Sequence, residues 1–301
     1  MKVLLVPDYP GWAFDHRAKD LTAMRMETIK FAIKYMSDVK KIDQYNYDLI
    51  YPMSLSIARK LNVKGIPLCK MATGVTSLRV FEKQMVNKQT FKPDFIQFVK
   101  ELRGINAWSD EIVNIFKPHC RIYKTRIGIN EQLFKVDYKK RNRSMFTVGW
   151  VGRIDGAKNR ELKGYDLVLE ALKGLKVKLD IRTFKENYVT RAQMVGFYQG
   201  LDCFICSSRS EGLPNPVLEA ASCGIPIITT RVGIIPELIR HKKNGMITPR
   251  TSEAIREQVI YLMKHPKERL ELGNNIAKTI RDCWTWGKCK KDWETYFRTI
   301  V

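Results

Sequence analysis

The sequence predicts an α/β protein of two doubly wound domains, each a parallel sheet with helices on both faces. Three observations carry that prediction. Short apolar runs alternate with helical stretches along the chain. The 301 residues suit two domains at roughly 100–200 residues each. Hydrophobic residues make up 45% of the chain, enough for two ordinary cores.

Strands are expected near Val3, Asp48, Pro67, Asn106 and Arg121, then near Thr147, Val177, Asp202 and Ile225. The first, Val3 to Val6, is followed by a turn with Pro7, Pro10 and Gly11, then by a helix from about Asp15. Gly11 lets backbone approach a ligand closely. Trp12, Asp15, His16 and Arg17 would stand where an acceptor arrives. The alternative is that Asp15 caps the helix and His16 faces solvent. The turn lacks a full GxGxxG, so a dinucleotide fingerprint is not supported. The charged stretch 135–143 (KVDYKKRNR) is the expected linker, between domains 1–138 and 139–285. Residues 286–301, with Trp and Tyr at helical spacing, are expected to be a packing helix.

The most informative stretch runs from Ser207 to Ile239. Cys203 to Cys206 reads as a buried strand, so the polar turn Ser207 to Gly212 lies at its carboxyl end, where open α/β sheets collect ligands. Asn215 is the expected helix N-cap and Pro216 the first helical residue. The N–H groups of Val217, Leu218 and Glu219 would then face a phosphate, a favourable charge there being worth roughly 0.3–1 kcal/mol. Glu211 and Glu219 suit neutral hydroxyls better than phosphates.

EGLPNPVLEA followed by SCGIPIITTRVGIIPELI resembles the donor signature of the family-4 retaining glycosyltransferases, in which two glutamates are separated by seven residues. TVGWVGRIDGAKNRELKGYDLVLEAL, INAWSDEIVNIF and YKTRIGINEQLF resemble other segments of that family. The resemblance implies a GT-B fold, two Rossmann-like domains facing a central cleft, with the carboxyl-terminal helix returning to the first domain. It implies that Arg153 and Lys163 grip the donor's phosphates, that Glu211 orients the sugar and that Glu219 contacts the ribose. Backbone at Gly152, Gly212, Asn215, Pro216 and Val217 completes the implied donor site, with Gly11 approaching from the first domain. Glu211, Arg153 and Lys163 are the implied catalytic group. Fixed cations are worth most when a diphosphate leaving group gains charge.

The chain departs from that pattern in three places. GAKNREL is longer than the usual loop, so Lys158 competes with Lys163 for the phosphate role. LDIRTFKEN lacks the usual Gly-x-Gly turn, which puts base recognition in doubt. LCKMATGVTS lacks the first-domain histidine, leaving Thr73, Gly74 and Thr76 as candidates to line that position.

No Asp-x-Asp pair occurs and the four histidines show no zinc spacing, so no metal or other cofactor is expected. Cys203 and Cys206 point to opposite faces of a strand and read as buried free thiols. Seven cysteines without a dense framework, and no stretch of ~20 apolar residues, favour a cytoplasmic setting. The formal net charge of +22 exceeds what a nucleotide-sugar requires and suits a polyanionic acceptor. DNA with a hydroxymethylated pyrimidine is favoured over a lipid or glycan at an anionic membrane, for which the basic stretch from Phe81 to Lys100 is the candidate docking helix. Rival classes are a nucleotide-sugar epimerase or hydrolase, and a non-catalytic nucleic-acid-binding protein on the same scaffold.

Overall fold

The computed structural model describes residues 1–87, 90–137, 145–183, 186–187 and 189–301. The chain divides into two compact units. Unit 1 is Met1–Gly128 with Trp286–Val301, and unit 2 is Ile129–Thr285. The boundary expected at 138/139 and most of the linker 135–143 lie outside the described residues.

Unit 1 alternates strand and helix: β1 (Lys2–Val6), α1 (Ala13–Ala23), β2 (Lys30–Ile33), α2 (Asp43–Asn46), β3 (Leu49–Pro52), α3 (Leu55–Val63), β4 (Ala72–Val75), α4 (Pro93–Glu101), β5 (Gly104–Ala107), α5 (Asp110–Phe116) and β6 (Ile122–Lys124). Its strands pair in the orders β2-β1-β3 and β4-β5-β6, all parallel. A single bridge from Ile50 to Met71 joins the two halves. Ser54 and Ser109 accept hydrogen bonds from Ile57 N–H and Ile112 N–H, which starts α3 and α5 directly behind their strands.

Three details differ from the sequence expectation. The strand expected near Pro67 begins at Ala72, because Leu68–Lys70 closes a 3₁₀ turn first. β2 was not anticipated; four residues beginning with an exposed lysine carry little pattern. Phe81 to Lys100 is not one helix. Pro93 cannot donate a backbone hydrogen bond, so it opens α4 rather than sitting inside it.

Unit 2 comprises β7 (Phe146–Val151), α6 (Ala157–Lys163), α7 (Tyr165–Leu172), β8 (Val177–Arg182), α8 (Arg191–Gln199), β9 (Cys203–Cys206), α9 (Asn215–Ser222), β10 (Ile227–Thr229), α10 (Ile235–Leu238), β11 (Met246–Ile247), α11 (Ser252–Lys264) and α12 (Pro266–Cys283). The five strands are parallel in the order β11-β10-β9-β7-β8. Successive strands lie to opposite sides of β7, so the topological switch falls between β7 and β9. Val148, Trp150, Ile205 and Ile228 meet Val168, Ile255 and Val259 in the core on one face. Cys203 and Cys206 are both buried and free.

The last helix, α13 (Trp286–Ile300), belongs to unit 1. Its apolar stripe buries Trp293, Tyr296 and Phe297 completely. All three rings pack edge-on to Tyr51 of β3, with centroids 5.5–6.3 Å away. Trp293 Nε1 also donates to Arg126 O at 2.8 Å, and Arg126 pairs with Asp292 at 3.0 Å. Trp293→Ala removes a buried ring and leaves a cavity, at a cost of about 3–5 kcal/mol. Urea denaturation should show a midpoint lowered accordingly, and an unchanged midpoint would contradict this packing role.

Candidate functional site

In unit 2 the strand ends at the topological switch frame two cavities, each assembled from several elements. The first, about 240 Å³, is lined by Trp150, Lys163, Ser208, Glu211 and the start of α9 from Pro214 to Val217. The second, about 310 Å³, is lined by Gly152, Arg153, Lys163, Arg182, Thr183 and Pro216, among others. Val151, Lys163 and Pro216 line both.

Lys163 is the last residue of α6, and the turn behind it is built to hold it. Gly164 has a positive φ of 67°, and a Cβ there would stand 2.3 Å from Ser207 O. The Ser207 hydroxyl is shared between Lys163 O at 2.8 Å and Gly164 O at 2.9 Å. It accepts from Trp150 Nε1 at 3.2 Å. Arg250 Nε donates to Ser207 O at 3.1 Å, and Arg250 also reaches the carbonyl of Glu161. The end of α6 is thereby fastened to the ends of β7 and β9.

Lys163 Nζ lies 2.5 Å from Glu211 Oε1, with the two side chains 25% and 14% exposed. Ser208 Oγ donates to the same oxygen at 2.7 Å. Thr230 Oγ1 in turn donates to Ser208 O at 2.6 Å. Gly212 O lies where a Cβ on Gly233 would come within 2.1 Å, so the glycine permits the turn at Val232–Ile234 to close over the Glu211 loop. Arg153 forms a two-pronged pair with Asp155, at 2.9 and 2.5 Å. Gly152 is required because a Cβ there would meet the Trp150 ring at 2.4 Å. Lys158 is exposed on α6 and is not among the residues lining either cavity, whereas Lys163 lines both.

The start of α9 corrects the sequence expectation. Pro214, not Asn215, precedes the helix, and Pro216 is its second residue. Val217 N–H and Leu218 N–H donate to Pro214 O at 2.9 and 3.4 Å, and Asn215 N–H donates to Leu213 O at 2.9 Å. Those groups are engaged within the turn, because Pro214 kinks the chain one residue earlier than an Asn cap would. Glu219 lies just over one turn into the helix, accepting from the Tyr198 hydroxyl at 2.7 Å. Burial, then the neighbouring carboxylate, hold that hydroxyl well above its ordinary pKa, so it remains a donor. Glu219 is not among the residues lining the two cavities.

The expected acceptor-side residues of unit 1 divide. Trp12 is 41% exposed and tilts against Tyr9, while Gly11 has open space around its α-carbon and a φ of 75°. Asp15 is fully buried and accepts from Gly11 N–H at 2.8 Å, Lys19 Nζ at 2.8 Å and Tyr35 Oη at 3.1 Å. It shapes the β1–α1 turn from inside the helix and is not open to a ligand; the N-cap is Trp12, with no side-chain cap, so the alternative reading of Asp15 as the cap does not hold either. His16 is half-buried one residue further on. Thr73 and Gly74 are buried inside β4. Thr73 Oγ1 donates to Pro52 O at 2.7 Å, and a Cβ on Gly74 would meet Tyr51 Oη at 2.9 Å. They belong to the sheet interior, because the strand begins five residues later than expected. Arg17 is buried with its guanidinium 3.9 Å from the Trp108 ring centroid.

Ser207, Ser208, Arg250 and Asp155 had not been singled out as site residues. Ser207 and Ser208 were legible as part of the strand-end turn; Arg250 carried no local signal, since it lies 43 residues from the serine that it holds.

Residues 169–279 match the family described as glycosyl transferases group 1. Glu211, Glu219 and all of α9 fall within the matched residues, while Arg153 and Lys163 precede them. This chain is similar to the capsular polysaccharide biosynthesis glycosyltransferase CapM of Staphylococcus aureus, 23% identical over 202 residues, covering 58% of this chain and 53% of that one. It spans about half or less of the length of the curated relatives it matches. Its GT-B fold is shared with sucrose-phosphate synthase from Thermosynechococcus elongatus, at a TM-score of 0.78, 12% identity and coverage of 99% and 98% of the two chains. It is shared with Anabaena HepE in complex with UDP and glucose, at a TM-score of 0.77, 14% identity and coverage of 99% and 100%.

The buried Asp15 carboxyl gives a pH test of the unit 1 turn. Burial alone would raise its pKa, but hydrogen bonds from Lys19, Gly11 N–H and Tyr35 outweigh burial and hold it below the ordinary value. Its stabilisation is therefore complete above the unfolded value of about 3.9 and is lost as pH falls through the lowered folded pKa. Asp15→Asn should lower the thermal midpoint at neutral pH, with the gap to wild type shrinking in acid. A gap that stayed constant down to pH 2 would contradict the role of the charge.

Proposed function

We propose that this chain transfers a sugar from a nucleoside-diphosphate sugar to an acceptor hydroxyl with retention of anomeric configuration. The observation that carries the reading is the Lys163–Glu211 pair at the switch of a group 1 domain, on the wall shared by two cavities. Two cavities meeting at one cation suit a ligand with a sugar on one side and a nucleoside on the other, joined by a diphosphate.

On donor binding Lys163 exchanges Glu211 for a phosphate oxygen, and Arg153 likewise exchanges Asp155. Glu211 is then released to accept from sugar hydroxyls, held by Ser208. The bond from the anomeric carbon to the diphosphate oxygen breaks as the bond to the acceptor oxygen forms on the same face. The acceptor proton passes to the departing phosphate oxygen, so no protein nucleophile is required. The cations act most strongly on the charge that develops on the leaving group. Lys163→Ala should lower kcat/KM by roughly tenfold to a hundredfold, the loss of one charge-assisted contact of about 1.5–3 kcal/mol. Glu211→Ala should lose most turnover while the protein still folds, with a thermal midpoint lowered because Lys163 loses its partner. Wild-type turnover in either variant would reject the assignment. The HepE complexes hold UDP and glucose, which makes UDP-glucose the first donor to try.

For the acceptor, the net charge of +22 supports a polyanion in the cytoplasm, with hydroxymethylated duplex DNA as the first candidate. A hydroxymethyl group on a pyrimidine lies in the major groove and offers a hydroxyl without base flipping. CapM is named for capsular polysaccharide biosynthesis, and that supports a second reading, a glycan acceptor. Labelled sugar should appear on hydroxymethylated duplex and fall steeply with salt. Transfer to glycan or glycolipid with none to DNA would replace the first reading by the second. Donor cleavage at full rate without any acceptor would mark a hydrolase instead.

A further inference from the structure

Unit 1 contains a third cavity, of about 340 Å³, at the amino-terminal edge of β5 and β6. That is the edge opposite to the one where ligands of parallel sheets collect. Its charged walls are Lys100, Arg103 and Arg121, with His119, and no carboxylate is among the lining residues. Apolar side chains, Val99, Leu102 and Ile105 among them, share the rest of the lining with Cys120, Tyr123 and Thr299.

Part of this charge has a structural role. Arg103 Nε donates to Ile300 O at 2.6 Å and its Nη2 to Val301 O at 2.7 Å, closing the end of α13. The ends of α4 and α13 each bring about half an elementary negative charge to this edge. Arg103 is engaged with that end of α13. Lys100 and Arg121 are the surplus, and Arg121 is held with its guanidinium 5.0 Å from the Tyr123 ring centroid. A planar cation fixed on an aromatic face and a second cation, lining one cavity together with apolar side chains, match a phosphate ester whose organic part is small. The volume lies at the low end of the range for small-molecule sites, roughly 300–1,000 Å³.

We propose that this cavity binds a small phosphate-bearing molecule through Lys100 and Arg121, in a site made wholly of unit 1 residues. The site does not depend on the donor reading of unit 2. Cys120 lines the cavity and provides a local reporter, with the exposed Cys69 and Cys283 as controls in the same chain. Inorganic phosphate is the probe, against chloride at matched ionic strength. Wild type and Lys163→Ala should show saturable slowing of Cys120 alkylation by threefold or more, read by peptide-resolved mass spectrometry, with Cys69 and Cys283 unchanged. Both proteins should also gain thermal stability from phosphate. The double variant Lys100→Glu, Arg121→Glu changes two exposed side chains and spares the Arg103 closure of α13. It should lose the protection and the thermal gain together. Equal protection by chloride, undiminished protection in the double variant, or neither effect in wild type would each overturn the proposal. Protection lost in Lys163→Ala but kept in the double variant would assign the phosphate to unit 2 instead.

Discussion

The Ser207 hydroxyl sits where β7, β9 and the turn between α6 and α7 meet. It joins the carbonyls of Lys163 and Gly164 to the indole of Trp150, at the point in unit 2 where the sheet's strand order reverses. A one-residue change in any of the three elements would break it. Gly164 has a left-handed conformation and only 2.3 Å of room for a Cβ, so the turn admits glycine alone without rearrangement. The ion pair of Lys163 with Glu211 follows from this junction, because both residues leave it within four positions.

The site stores its cations in ion pairs. Lys163 is held by Glu211 and Arg153 by Asp155. An unpaired cation in a partly buried site would bear an uncompensated desolvation cost. Any anion entering the cavities would compete with carboxylates already in place. That arrangement favours a ligand carrying several negative charges over a neutral one.

Unit 1 follows a different logic. Its buried polar groups mainly serve the fold: Asp15 closes the first turn, and Asn106 accepts from Tyr51 Oη at 2.8 Å. The α13 aromatics then seal one side of the sheet around Tyr51. Exposed aromatic surface remains at Tyr9 and Trp12, beside the flexible choice of Gly11. The unit's exposed chemistry therefore lies at its two strand edges, and its middle is packing.

Local pattern determined much of this protein. The alternation of apolar runs and helices specified parallel sheets, since period and element length are properties of neighbouring residues. The stretch from Ser207 to Ile239 placed Glu211 and the start of α9 at a strand's carboxyl end, and the Lys-Gly pair marked a cation that lines both cavities. Tertiary structure decided what depends on distant partners. Lys163 rather than Lys158 faces the cavities because Ser207 and Arg250, far along the chain, hold the end of α6. Asp15, Thr73 and Gly74 proved to be interior residues because burial depends on which elements pack over them, and a sequence window does not contain those elements. The first turn of α9 engages its own N–H groups because Pro214 bends the chain before the helix begins, a one-residue shift that propensity alone does not resolve.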